Sequence, residues 1–206
     1  MKCVALISGG KDSWYNAMQC IANGHEITAL ANLRPPPTSP GSTPEIRSSA
    51  NEDEMDSFMY QTVGHDAVHL QAECAGLPLY REYITGDSID QNLNYSATSG
   101  DETEDLHRLL SRVKAEHPDI RGVSVGAILS NYQRARVENV CVRLGLTCLA
   151  YLWQRDQKEL LAEMINARLI AMVIKVAAMG LKSVHLGKTL GELQSTLLAL
   201  VSKSFM

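Results

Sequence analysis

Residues 2–24, KCVALISGGKDSWYNAMQCIANG, constrain the fold of this chain more than any other stretch. The apolar run Cys3-Val4-Ala5-Leu6-Ile7 predicts a buried strand. It gives way to Ser8-Gly9-Gly10-Lys11-Asp12-Ser13, after which Tyr15, Met18, Ile21 and Ala22 predict a helix with that face inward. A strand that feeds a glycine turn and then a helix N-terminus is the local arrangement that binds phosphate. Two glycines let the main chain approach an anion closely, and free N–H groups at the positive end of the helix dipole face it. Lys11 adds a full positive charge, and Ser8 and Ser13 add hydroxyl donors. The chemistry points to a nucleotide.

Spacing excludes two common nucleotide loops. The Walker A pattern G-x-x-x-x-G-K-[ST] fails, because here the lysine follows a glycine pair directly and an aspartate comes next. The dinucleotide pattern G-x-G-x-x-G lacks its third glycine. Two roles are open for Asp12: a first-turn acid that favours the helix dipole, or a carboxylate near magnesium and the phosphates.

At 206 residues the chain is one ordinary domain, or one domain and a fragment of a second. Its 45% hydrophobic content supports a sizeable core. A formal charge of −4 gives no electrostatic reason to expect a nucleic-acid surface. No apolar run is long enough to span a bilayer and the start carries no signal-peptide pattern, so a cytoplasmic protein without a membrane partner is expected. Cys3, Cys20, Cys74, Cys141 and Cys148 include no C-x-x-C pair, which predicts reduced, buried thiols rather than a zinc or redox site.

Strand and helix patterns then alternate. Strands are predicted at 25–33, 78–84, 122–129, 147–152 and 169–177, and helices at 66–75, 101–116, 131–144, 156–165 and 189–201, with a further helix beginning in 52–64. The Pro-, Ser- and Thr-rich stretch 34–52 reads as a mobile loop. Together these predict an α/β fold, a doubly wound, mainly parallel Rossmann-like sheet with ligands at the carboxyl ends of its strands. The expected organisation is a nucleotide-binding domain over 1–180, followed by a C-terminal helix over 181–206.

Other residues carry weaker signals. Arg134 and Arg136 open a helix, where positive charge opposes the dipole unless an anion offsets it; phosphate contact and an Arg134–Glu138 pair at i,i+4 are both open. The acidic run containing Asp101 and Glu102 reads first as helix capping and second as magnesium or ammonium handling. His65 reads as a cleft-lining or capping residue, and with His69 it lacks a third ligand at diagnostic spacing.

Ser8-Gly9-Gly10-Lys11-Asp12-Ser13 resembles, without a mismatch, the S-G-G-x-D-S loop of the PP-loop ATP pyrophosphatases. The segments ALISGGKDS (5–13), ALANLRP (29–35), MYQTVGH (59–65), VGAILSNYQRARVE (125–138), AYLWQR (150–155) and LGKTL (186–190) together resemble one branch of them, the diphthine–ammonia ligases. The resemblance runs from residue 1 to about residue 195. It implies ATP and Mg2+ as cofactors, bound at Ser8 to Ser13 and Asn32, with Lys11 and Asp12 catalytic and Asp12 near the metal. It also implies His65, Asp101, Glu102, Arg134, Arg136 and Glu138 as candidates for substrate or phosphate contact. The implied reaction adenylates the carboxylate of diphthine, a modified histidine of translation elongation factor 2, with release of pyrophosphate. Ammonia then displaces AMP to give diphthamide.

The chain departs from that pattern at three places. Asn131 stands where relatives commonly have an acid, and Trp14 where a smaller residue is usual. The third is the Gly- and Glu-rich motif with which relatives continue into a substrate-side region; residues 181–206 then read as a remnant of that region. Two rival readings follow, a PP-loop enzyme that adenylates a tRNA base for thiolation and a non-catalytic ATP-binding module. The acidic balance and missing C-x-x-C pairs count against the first.

Overall fold

A computed structural model describes residues 1–36, 59–60, 63–177 and 180–203. Most of the loop expected at 34–52, and of the helix start expected in 52–64, lies outside the described residues. The described chain divides into two compact units, Met1–Tyr151 and Leu152–Met206.

The first unit is built on a parallel sheet of β1 (Lys2–Leu6), β2 (Glu26–Arg34), β3 (Leu79–Tyr83), β4 (Gly122–Ser124) and β5 (Thr147–Leu149), in the order β3-β2-β1-β4-β5. Its helices are α1 (Lys11–Ala22), α2 (Val68–Ala75), α3 (Glu102–Glu116) and α4 (Asn131–Leu144). The sheet order reverses beside β1, since the chain moves outward to β2 and β3 and returns to β4 on the other side. Such a switch point leaves a crevice at the carboxyl end of the central strand, where the loop after β1 sits. Fold class and parallel sheet agree with the sequence reading.

β1 is central because both of its faces are apolar: Cys3, Val4 and Ala5 are fully buried. Ala5 and Ile7 pack with Leu30, with Ala17 of α1 and with Val68 and Ala72 of α2. Helix α3 buries Leu106, Leu109, Leu110 and Val113 and contacts β2 and β3, while α4 buries Val137, Val140 and Cys141 and contacts β5. Gly145 and Gly76, both left-handed, end α4 and α2.

Three expectations need correction. Of the face read for α1, Tyr15 is buried, but Met18 and Ile21 are exposed. The inward face is instead Ser13, Asn16, Ala17 and Cys20, and it includes a polar anchor. Asn16 donates to Ser124 Oγ at 2.7 Å and to the Leu149 carbonyl at 2.8 Å, and it accepts from the Tyr151 N–H at 2.8 Å. One satisfied amide thus fixes α1 to β4 and the end of β5, which hydropathy spacing does not register. Second, Cys74 is exposed rather than buried. Third, 169–177 is not a buried strand of the sheet. It lies in the second unit, where Val173 exchanges main-chain hydrogen bonds with Lys188 and Gly187, and Ile170, Met172 and Ile174 face solvent. An uninterrupted apolar run looks the same in sequence whether one edge or both faces are covered.

The second unit holds α5 (Gln157–Asn166) and α6 (Leu190–Lys203), which pack on each other. Asp156 caps α5 by accepting from the N–H groups of Lys158 and Glu159. Among the described residues no helix is long and apolar enough to cross a membrane.

Candidate functional site

The loop between β1 and α1 is closed by its own serines. Ser13 Oγ donates to the Gly10 carbonyl at 2.9 Å and accepts from the Ser8 N–H at 3.3 Å, while the Gly10 N–H reaches Ser8 Oγ at 3.4 Å. Ser8 and Ser13 therefore shape the turn in addition to lining the cavity beside it. Gly9 has φ +87°, a conformation that favours glycine, and a Cβ built there would press on Val68 Cγ2 at 3.2 Å. No side chain caps the N-terminus of α1 at Gly10. The first-turn N–H groups have no partner within the helix, which leaves them to an anion.

Gly126, just past β4, completes the floor. A Cβ on it would lie 2.7 Å from the Asp12 carbonyl carbon and the Ser13 nitrogen, so main chain presses on main chain where α1 begins. Around this contact a cavity of about 330 Å³ opens at the carboxyl ends of β1, β2 and β4. It is lined by Ser8, Gly10, Asp12 and Ser13, by Ala31 to Leu33, by Met59 and Tyr60, by Val125 to Ser130, and by Leu106, Leu109, Gln133 and Val137 behind them. Apolar walls with a few convergent polar groups suit a small-molecule site.

Asp12 is the asymmetric element of this wall. Its Oδ2 accepts from Lys11 Nζ at 2.8 Å, whereas its Oδ1 is buried without a hydrogen-bond partner. A buried carboxylate oxygen lacking a donor is costly unless a ligand completes it. A hard divalent cation fits that oxygen, since magnesium uses one or two carboxylates together with phosphate oxygens. Among the described residues no group of three His, Cys, Asp or Glu side chains forms a metal cage, so the protein alone supplies only part of such a shell.

Asn32 lines the cavity but is itself anchored. Its Nδ2 donates to the Ile7 carbonyl at 2.8 Å, and its Oδ1 accepts from Nε of Arg81, its register partner on β3, at 3.0 Å. Arg81 also donates to the His65 carbonyl at 3.1 Å. Sequence reading missed Arg81, because a strand arginine carries no motif. His65 follows Gly64 and places Nδ1 3.2 Å from Asp66 Oδ1; it does not line the cavity.

The remaining candidates form a different network. Asp101 caps α3 by accepting from the Thr103 N–H at 2.9 Å, and its other oxygen accepts from the N–H groups of Ile89 and Asp90, each at 3.0 Å. Burial alone would raise its pKa, yet the hydrogen bonds from Thr103, Asp90 and Ile89 outweigh burial and lower it. Glu102 is 1% exposed; its carbonyl accepts from Tyr60 Oη at 3.1 Å and its carboxylate from Tyr132 Oη at 3.4 Å. Burial, with Glu102, Asp105 and Asp101 nearby, pushes the Tyr60 phenol well up, so it remains a donor.

Arg136 is fully buried. Its guanidinium lies 3.3 Å from the centroid of the Tyr132 ring and donates to the carbonyls of Tyr132, Asp90 and Asn92. Phosphate contact is thereby corrected for Arg136: its charge ties the 90–92 segment to α4. Arg134 pairs with Glu138 at 2.7 Å, the i,i+4 alternative. Asp101, Glu102, Arg134, Arg136 and Glu138 do not line the cavity.

A five-strand parallel sheet with a serine-glycine loop at its switch point and a cavity beside it defines an α/β domain of the Rossmann-like, PP-loop kind. Residues 45–148 match the diphthamide synthase N-terminal domain family. The chain is 57% identical over 204 residues to the human diphthine–ammonia ligase, a match spanning 98% of this chain and 72% of that protein. With the namesake of Schizosaccharomyces pombe it shares 56% over 203 residues, 98% of this chain but 31% of that protein. With that of Saccharomyces cerevisiae it shares 47% over 213 residues, 96% of this chain and 29% of that protein. The chain belongs to the diphthine–ammonia ligase family. It spans about a third of the length of the fission yeast relative and about seven-tenths of the human one.

Proposed function

We propose that this chain binds ATP in the cavity beside residues 8–13 and uses it to adenylate the carboxylate of diphthine on translation elongation factor 2, in the cytoplasm. The observation that carries the reading is the uncapped start of α1 beside a cavity lined by Asp12, whose Oδ1 is buried without a hydrogen-bond partner. In this reading the N–H groups of the loop and first helical turn bind the terminal phosphates, and Lys11 Nζ neutralises charge as pyrophosphate leaves. Asp12 Oδ1 would hold Mg2+, which would supply positive charge to offset that of the triphosphate. Asn32, fixed from both sides, holds the end of β2 in register with the loop. Attack by the diphthine carboxylate on the α-phosphate gives an acyl adenylate and pyrophosphate. Ammonia then attacks the acyl carbon, forming the amide of diphthamide and expelling AMP.

The test measures AMP and pyrophosphate release with and without elongation factor 2 bearing diphthine. Stoichiometric release that requires the modified factor supports the reading. ATP binding without release would leave a nucleotide-binding module, and release stimulated by tRNA would move the substrate to a nucleic acid. An Asp12→Asn variant is expected to keep its fold while magnesium-dependent turnover falls by about a hundredfold.

A further inference from the structure

The loop has a second restraint, from a helix that supplies nothing to the chemistry above. Gln71 of α2 donates from Nε2 to the Gly9 carbonyl at 3.2 Å, and its Oε1 accepts from Trp14 Nε1 at 2.8 Å. The two ends of this amide are not interchangeable. An indole N–H only donates and a carbonyl only accepts, so Trp14 fixes which end of Gln71 faces Gly9.

We propose that Gln71, oriented by Trp14, is a positioning residue for triphosphate binding: it holds the Gly9 carbonyl on the α2 side, so that the Gly10 N–H stays turned toward the cavity. This inference rests on the reading of the loop as the ATP site. A trans peptide points its C=O and N–H in opposite directions, and the described chain contains no cis bond. Rotation of the Gly9–Gly10 peptide would therefore exchange an N–H for a carbonyl oxygen facing the phosphates, turning attraction into repulsion. Two glycines in succession present little steric resistance to that rotation. The loop's own restraint on this N–H is long, 3.4 Å to Ser8 Oγ, and weak at that length. Gln71 supplies the stronger restraint from outside. Val68 Cγ2, 3.2 Å from the position a Gly9 Cβ would take, shows that α2 lies directly against the loop. The pairing also gives a physical place to Trp14, one of the departures from the family pattern.

The experiment measures ATP binding by calorimetry for the wild type and for Gln71→Met, Gln71→Glu and Trp14→Phe, with melting temperatures, from about pH 3.5 to about pH 8, a range that spans the ordinary glutamate pKa of about 4.3. Gln71→Met fills the space but cannot donate, and is expected to bind ATP about tenfold more weakly at every pH. In Gln71→Glu the ionised carboxylate accepts from Trp14 but repels the Gly9 carbonyl, whereas the protonated acid both donates and accepts as glutamine does. Its affinity relative to wild type is therefore lowest at high pH and recovers as pH falls through the carboxyl pKa. A residue that merely fastened α2 to α1 would lower the melting temperature without this pH signature. Trp14→Phe keeps the Gln71 amide donor but removes the indole N–H that orients it, so about threefold weaker binding is expected; it serves as the readout if the Gln71 variants do not fold. Unchanged affinity in Gln71→Met, in Trp14→Phe, or a pH-independent defect in Gln71→Glu would overturn the proposal. Failure of the wild type itself to bind ATP would instead overturn the reading of the loop.

Discussion

Two polar regions lie in the first unit, and they treat their hydrogen-bonding groups in opposite ways. In the 86–105 segment and the start of α4, carboxylates and guanidinium are engaged by the protein. Asp101 accepts from three N–H groups, Asp105 from Thr85 and Gly86, and Arg136 donates to three carbonyls while stacking on Tyr132. Around residues 8–13 the loop satisfies its serines but leaves the first turn of α1 uncapped and Asp12 Oδ1 without a donor. Because an unsatisfied buried polar atom costs about 1–3 kcal/mol, the second region is stable only at a cost that a ligand can relieve. Charge alone does not separate the two regions; the difference lies in the carboxylates, which protein donors engage in the first region, where Arg136 Nε is the buried atom left over, whereas in the second Asp12 Oδ1 lacks a donor beside an uncapped helix start.

That contrast breaks if substitutions in the two regions have similar consequences. Arg136→Leu is expected to have the largest effect. It strands the Asp90 and Asn92 carbonyls and should lower unfolding free energy by about 3–5 kcal/mol, measured by urea denaturation. Lys11→Ala should leave the denaturation midpoint near wild type while slowing pyrophosphate release about a hundredfold or more, about 3 kcal/mol of barrier. Asp101→Ala removes a helix cap and two loop anchors and should cost about 1–2 kcal/mol of stability. Since hydrogen bonding lowers the Asp101 pKa, its contribution is present above the ordinary carboxylate range and fades as acid protonates the folded form. The wild type should therefore lose stability toward low pH more steeply than Asp101→Ala in parallel denaturations. Arg134→Ala breaks a partly exposed i,i+4 pair and should change stability by about 0.3–0.5 kcal/mol, with release rates unaltered.

The same contrast explains what sequence reading reached. The hexapeptide 8–13 is legible because strand, glycines and helix start are neighbours in the chain, so local patterning specifies both element order and anion chemistry. The parallel sheet followed from alternating patterns, and the bounds of α4 were met at both ends. Arg136 was not legible. Its partners are main-chain carbonyls at Asp90, Asn92 and Tyr132, which have no residue-type signature. Asn16 escaped notice because a polar residue within a helical pattern reads as surface until its buried partners are known. The run 169–177 misled for the opposite reason: its composition suits a central strand, but the residues that pair with it cover only one edge.

Gly126 makes the geometry of α1's first turn dependent on the strand that precedes it in space rather than in sequence. Any side chain at that position would lever the helix start away from β4 and splay the cradle, without touching a single ligand atom. Damage there would mimic loss of a binding group in an activity screen, yet leave every phosphate-facing residue in place. Position 126 is thus one where tolerance to mutation should be poor for reasons of clearance alone.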